Sequence, residues 1–201
     1  MRSLDALARL KNLGVPVITT ADAAAALRQT AFAASRTLSR LAYAGLVHVV
    51  RHGTWWVEGA IDPYRLPEHL TAPLPSYVSL HTALHLRGLI EQIPEVLYAV
   101  SLARTQRIST RAGTFSIHHL APEVFGGFET TPAGIKLATA EKALFDFAYL
   151  SAGRSRLFTS LPEVELPRGF RMRELSRWLA RIPSKRSRTI TERKLGELGA
   201  M

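Results

Sequence analysis

Apolar positions along the chain change period several times, and each change predicts an element. Leu4, Leu7, Leu10 and Leu13 recur every three residues behind Ser3, a helix-capping residue. That spacing predicts a helix over residues 4–13 with one apolar stripe. Gly14 follows where a glycine ends a helix. Val15-Pro16-Val17-Ile18 reads as a short extended link, and Thr20 is placed to cap a second helix over 21–27. Asp22 falls in its first turn, where negative charge meets the positive end of the helix. Arg28-Gln29-Thr30 makes the next break, with Thr30 as cap of a third helix over 31–44. Ala31, Ala34, Leu38, Leu41 and Ala42 form its inner face. Phe32, Ala33, Arg36, Ser39, Arg40 and Tyr43 lie on other faces. Of these, Phe32 is expected to pack against the second helix in preference to contacting a thymine methyl group. Gly45 ends the helix. Leu46, Val47, Val49 and Val50 predict a strand, Arg51-His52-Gly53-Thr54 a turn, and Trp55-Trp56-Val57 the return strand.

Prolines at 63, 67, 73 and 75 then interrupt every period between Ile61 and Ser76. Proline disfavours helix before it and cannot donate to a sheet, so residues 61–76 read as a linker or strap. Beyond it the pattern mixes strands and helices. Ser79 caps a helix over 80–87, ended by Gly88. Residues 96–102 are strand-like, and 108–111 with 114–118 suggest a hairpin around Gly113. Residues 135–138 form a further strand, and Thr139 caps a helix over 140–150. Ala143, Leu144, Phe147, Ala148 and Leu150 make its apolar face. A second proline-punctuated stretch runs from Leu161 to Pro167, followed by helices over 170–182 and from Ser184 toward Leu198. Leu175, Trp178, Leu179 and Ile182 form the apolar side of the first.

Charge sharpens this division. The chain has 201 residues and a formal charge of +10. Residues 1–70 carry 8 basic and 5 acidic groups, residues 71–150 carry 6 and 6, and residues 151–201 carry 12 and 5. The basic character therefore belongs to the two ends, and an acidic partner is expected, nucleic acid first. Composition that is 47% hydrophobic excludes a disordered basic tail protein. The absence of cysteine excludes a disulfide scaffold, a thiolate zinc site and a cysteine nucleophile. No apolar run reaches the length of a membrane span, and no signal-peptide core is present, so a cytoplasmic protein without membrane contact is expected.

Three helices followed by a basic-tipped hairpin match the plan of a winged helix-turn-helix. The expected fold class is α+β: an N-terminal winged helix-turn-helix over residues 1–60, then a mixed α/β domain over 77–201. Its basic helical C-terminal tail starts near 151. A helix fits the major groove of B-DNA, where its exposed side chains reach base edges. Arg36 and Arg40, one turn apart, are candidates to fork onto guanine or phosphate, with Ala33 and Ser39 beside them. Thr30, Ser35 and the helix start are candidates for phosphate. Arg51 and His52 at the hairpin tip would reach the neighbouring backbone or minor groove. In the tail, Arg171, Arg173, Arg177, Arg181, Lys185, Arg186 and Arg188 are candidates for phosphate or for an acidic protein surface, with a solvated helical face as the bland alternative.

Signals of catalysis are weak. His81 and His85 have the four-residue spacing of a helical metal pair, but Thr82 stands where a zincin carries glutamate, and no third ligand is signalled. His118 and His119 fall at a strand end, where neighbours point to opposite faces. Glu141 suits the helix start, and Asp146 is spaced to pair with Lys142. No phosphate loop, nucleophile elbow or dinucleotide fingerprint occurs. The expectation is a non-enzyme without metal or cofactor.

Two strings carry a family resemblance. Tyr77-Val-Ser-Leu-His-Thr-Ala-Leu-His-Leu-Arg-Gly-Leu-Ile-Glu-Gln-Ile-Pro94 and Ala138-Thr-Ala-Glu-Lys-Ala-Leu-Phe-Asp-Phe-Ala-Tyr-Leu150 resemble the AbiEi-type antitoxins of bacterial toxin–antitoxin pairs. Gly113-Thr-Phe115 and Phe125-Gly-Gly-Phe128 fit the same context, and the likeness spans roughly residues 1–150. It implies an autoregulating repressor that binds inverted repeats in its promoter DNA through the winged helix. It also implies a nucleotidyltransferase-like toxin as cognate partner and a role in phage defence. By position, residues 31–44 would be the recognition helix and Arg51 to Thr54 the wing. Two other readings stand beside it. One is a winged-helix regulator without a toxin, whose second domain senses a ligand or protein. The other is a protein-binding antitoxin that has lost DNA binding.

Overall fold

The computed structural model describes residues 3–152 and 163–199 and is of mixed α+β class. Leu161 and Pro162, the start of the second predicted proline stretch, lie outside the described residues. Two compact units divide the chain: Met1–Pro63 with Ser109–Gly113, and Tyr64–Ile108 with Thr114–Met201.

In the first unit, helix α1 spans Ser3–Lys11, strand β1 Val17–Thr19, helix α2 Thr20–Leu27 and helix α3 Ala31–Tyr43. Strands β2, His48–Arg51, and β3, Thr54–Trp56, follow. The three-residue leucine stripe of α1 is corrected. Leu4 is 71% exposed and Leu13 40%, whereas Ala6 and Leu10 are buried. A three-residue period drifts around a 3.6-residue helix, so the four-residue pair faces the core instead. The segment read as an extended link contains β1, which joins β3 and β2 in an antiparallel sheet of order β1-β3-β2. The cap of α2 is Thr19 rather than Thr20. Thr19 and Asp22 form a reciprocal capping box, with bonds of 3.1 Å and 2.8 Å. Thr20 Oγ1 instead accepts from Trp55 Nε1 at 3.0 Å, tying the hairpin to α2. Ala34, Leu38 and Leu41 of α3 join Leu10, Ile18, Leu27, Val47 and Trp55 in one apolar core.

Gly45 takes φ +71 after α3, and the chain doubles back on it: Gly45 N donates to Ala42 O and Leu46 N to Leu41 O. This left-handed helix stop draws Leu46 and Val47 out of the predicted strand, which begins at His48.

The proline-rich segment is not a structureless linker. Pro63–Arg65 makes a 3-10 turn and Leu66–Thr71 forms helix α4, with Leu66 and Leu70 buried. Pro67 sits near the helix start, where its missing N–H costs nothing. Strand β4, Ser76–Val78, and helix α5, Leu80–Leu86, follow. Strands β5, β6 and β7 span Leu97–Ser101, Gln106–Thr110 and Gly113–His119. Strands β8 and β9 span Phe128–Thr130 and Lys136–Ala138. Helices α6, α7 and α8 span Ala140–Ser151, Met172–Ala180 and Lys185–Glu197.

The six-stranded sheet has the order β6-β7-β5-β4-β9-β8. Its centre is mixed: β4 is antiparallel to β5 and parallel to β9, and β5 is parallel to β7. Helix α6 packs against α5, α7 and α8. It is buried on nearly every side, as expected of a central helix. The predicted apolar sides of α6 and α7 are buried as read, apart from the half-buried Leu150. Among the described residues, no helix is long and apolar enough to cross a membrane.

Candidate nucleic-acid interface

Helix α3 has one buried and one open side. Ala34, Thr37, Leu38 and Leu41 are buried, and Phe32, Arg36, Ser39, Arg40 and Tyr43 are exposed. The expected packing of Phe32 is corrected: its ring is 74% exposed. The Arg36 guanidinium lies over that ring at 6.0 Å from its centroid. Position 32 lies about 200° around the helix from the buried Ala34, and no element covers that side.

Thr30 caps the helix: its Oγ1 accepts from Ala33 N at 3.3 Å, so that N–H is already occupied. Ala33 and Ser35 are half-buried at the edge of the open side. Arg40 reaches Thr37 Oγ1 at 3.5 Å, a long contact, and Thr37 in turn donates to Gln29 Oε1 at 3.2 Å. Arg51 ends β2, His52 follows in the turn, and both are exposed. The structure therefore gathers Phe32, Arg36, Ser39 and Arg40 on one helix side and puts Arg51 and His52 on the hairpin tip.

In the tail the cations divide by what they touch. Arg171 donates from its backbone N and Nε to Glu141 Oε1, at 3.0 Å and 3.3 Å. Arg188 donates to Ile182 O at 2.7 Å, closing the turn between α7 and α8. Arg177 pairs with Glu174 at 2.6 Å, and Arg181 lies 4.3 Å over the Trp178 ring. Arg173, Lys185 and Arg186 are exposed, and no ion pair or hydrogen bond within the described residues occupies their side chains. The tail thus spends part of its charge on holding its own fold.

The Lys142–Asp146 pair expected from spacing forms, but its burial and its further partners were not legible in the sequence. Lys142 and Asp146 form an ion pair with both side chains fully buried. The Asp146 carboxylate also accepts from Tyr77 OH at 3.0 Å and from Ser79 Oγ at 2.7 Å. The Lys142 ammonium sits 4.5 Å from the Trp178 ring and 4.9 Å from that of Phe145. Burial lowers the Lys142 pKa and raises that of Asp146, and the pairing opposes both shifts. Ser79 spends its hydroxyl here, which is why it makes no capping bond at α5. Gly127 closes over the cluster: a Cβ there would lie 2.6 Å from Trp178 Cζ2 and 2.9 Å from Lys142 Cγ. The two strings that carry the family resemblance meet at this point, Tyr77 and Ser79 from one, Lys142 and Asp146 from the other. Their residues serve packing and fold here. The signal available beforehand was a pair of opposite charges, Lys142 and Asp146, on a helix that is largely apolar beyond its first turn.

The histidines separate. His81 lies 4.9 Å from the Tyr98 ring and 5.0 Å from that of Phe147. His85 borders a cavity of about 620 Å³ with Leu89, Glu91, Gln92, Glu163 and Glu165. His118 is buried with its Nε2 2.9 Å from Ser116 Oγ, while the neighbouring His119 is exposed. Burial, then the nearby His81, pushes the His118 pKa from 6.5 down to about 4. The unfolded chain therefore takes up a proton near pH 6.5 that the folded protein refuses until about pH 4. Stability is expected to fall as pH drops through that window, measured by urea unfolding at stepped pH. A His118→Gln variant should flatten the slope. An unchanged slope would remove His118 as its source.

A scan against protein-family models finds no match for this chain, and a search of curated proteins finds none either.

Proposed function

We propose that the chain is a DNA-binding antitoxin that represses its own toxin operon. In this reading residues 1–60 form a winged helix-turn-helix, with α3 in the major groove and the β2–β3 turn as the wing. The observation that carries it is the open side of α3, where Arg36 and Arg40 project beside Phe32 while the opposite side is locked into the core. Arg36 and Arg40 supply guanine or phosphate contacts, Arg51, Arg173, Lys185 and Arg186 supply charge toward the DNA backbone, and His52 adds a further contact at the wing. The AbiEi-like strings support the antitoxin half of the reading and a nucleotidyltransferase-like toxin as partner. The reading assigns no catalysis, metal or cofactor to the chain.

A two-part experiment tests it. The purified protein should shift a fragment of its own promoter, with affinity falling steeply as salt rises. Co-expression with the neighbouring gene product should restore growth. Promoter binding without rescue favours a regulator that lacks a toxin, a reading to which the 620 Å³ cavity beside His85 gives a place for a sensed ligand. Rescue without a promoter shift favours a purely protein-binding antitoxin. Failure of both overturns the proposal.

A further inference from the structure

Phe32 and Tyr43 are the aromatic residues exposed on the open face. A phenylalanine ring left 74% exposed buries little apolar surface in the fold. Helix geometry brings Phe32, Arg36, Ser39 and Tyr43 within about 60° of one another around the α3 axis. Phe32 and Arg36 are separated by one turn, about 6 Å along the axis. The guanidinium lies over the ring at 6.0 Å from its centroid, so the two side chains point the same way. The pair thus presents an apolar surface and a planar double donor side by side.

The major groove offers one arrangement that matches such a pair. Thymine carries the apolar 5-methyl group, and guanine carries two adjacent acceptors, O6 and N7, that suit an arginine fork. Neighbouring bases on a strand rise about 3.4 Å, within reach of two side chains from consecutive turns. Resting on the winged-helix reading above, we infer that Phe32 and Arg36 read a thymine–guanine step as a unit. Phe32 covers the thymine methyl and Arg36 forks onto the adjacent guanine. Phe32 is then a specificity-determining residue, and the operator half-site contains a thymine beside a guanine.

The test uses the full chain and duplexes enriched from a random-sequence DNA library, with affinities measured by fluorescence anisotropy. The enriched sequences should share a thymine next to a guanine. Replacing that thymine by uracil removes only the methyl group and should weaken wild-type binding about fourfold, the value of one buried carbon. Phe32→Ala should weaken binding to the thymine duplex about tenfold or more. It should also bind the thymine and uracil duplexes equally. Because Phe32 is exposed, the variant keeps its fold, which circular dichroism verifies. Specific binding with no shared thymine–guanine step overturns the inference and leaves the winged-helix reading intact. So does an equal uracil effect in wild type and Phe32→Ala. If no sequence is enriched at all, both fall together.

Discussion

The Arg36→Ala/Arg40→Ala double variant is expected to lose sequence-specific DNA binding while remaining folded. Both side chains project from the open side of α3, and the four residues that dock the helix, Ala34, Thr37, Leu38 and Leu41, are untouched. The fold gives up only the long Arg40–Thr37 contact of 3.5 Å and the Arg36–Phe32 stacking. Thr37 keeps its bond to Gln29. Each bidentate arginine–base contact contributes about 1–3 kcal/mol of discrimination, so removing two should weaken operator binding about 30-fold or more. If either arginine instead neutralises phosphate, affinity falls on all sequences and the salt slope drops by about one per arginine. Anisotropy titrations on operator and scrambled duplexes over a range of salt separate these outcomes. Unchanged specific affinity would remove α3 as the reading helix.

Asp146→Ala is expected to cost the second unit about 3–5 kcal/mol, the penalty for stranding one member of a buried ion pair. The carboxylate takes bonds from Lys142, Tyr77 and Ser79, and all three donors are buried with it. Deleting it leaves an ammonium and two hydroxyls without an acceptor, enclosed by Phe145 and Trp178. Leu80, beside Ser79, is held in a left-handed backbone at φ 55 and is fully buried, so the start of α5 loosens as well. The pair itself is a different matter. Replacing both charges by apolar residues of similar volume, Lys142→Met with Asp146→Leu, should restore much of the stability. Hydrogen exchange across α6, read beside urea unfolding, measures both variants. A loss below about 1 kcal/mol for Asp146→Ala would mean that water reaches the cluster and solvates Lys142.

Where the sequence could be read, local chemistry decided the outcome. Thr30, Thr139 and Ser184 cap the helices they were expected to cap, each accepting from the backbone three residues on. The hairpin around Gly113 and the strand over 97–101 follow from alternation and turn residues within a few positions. Two of the misreadings turned on burial or on a contact from elsewhere in the chain. Thr19 and Thr20 are equivalent caps by type, and the bond from Trp55, 35 residues away, decides which is left to cap. The prolines of 61–76 signalled a break, yet burial of Leu66 and Leu70 makes a helix there.

The candidate site shows the same division. Which residues of α3 point away from its core follows from helix period, so Arg36 and Arg40 were legible as an exposed pair. Nothing in the period says whether a neighbour covers Phe32. That depends on which side of α3 the neighbouring α2 packs against, which only the folded chain shows. The charge on the tail was countable from composition, but its use was not. Arg171 and Arg188 are committed to Glu141 and to the Ile182 carbonyl because folding brings those acceptors to them.

By itself, then, the sequence determined the α+β class, most helix starts and the segregation of charge to the two ends. These depend on residues within a turn or two of each other, where intrinsic preference and spacing act directly. Only the tertiary structure decided which charges are free and which are structural. Lys142 and Asp146 look like a surface pair in one dimension and form a buried knot in three. The difference comes from Tyr77, Ser79, Gly127 and Trp178, which close over them from other elements of the same unit. A charge's worth is set by the medium around it, and that medium exists only once distant segments have packed.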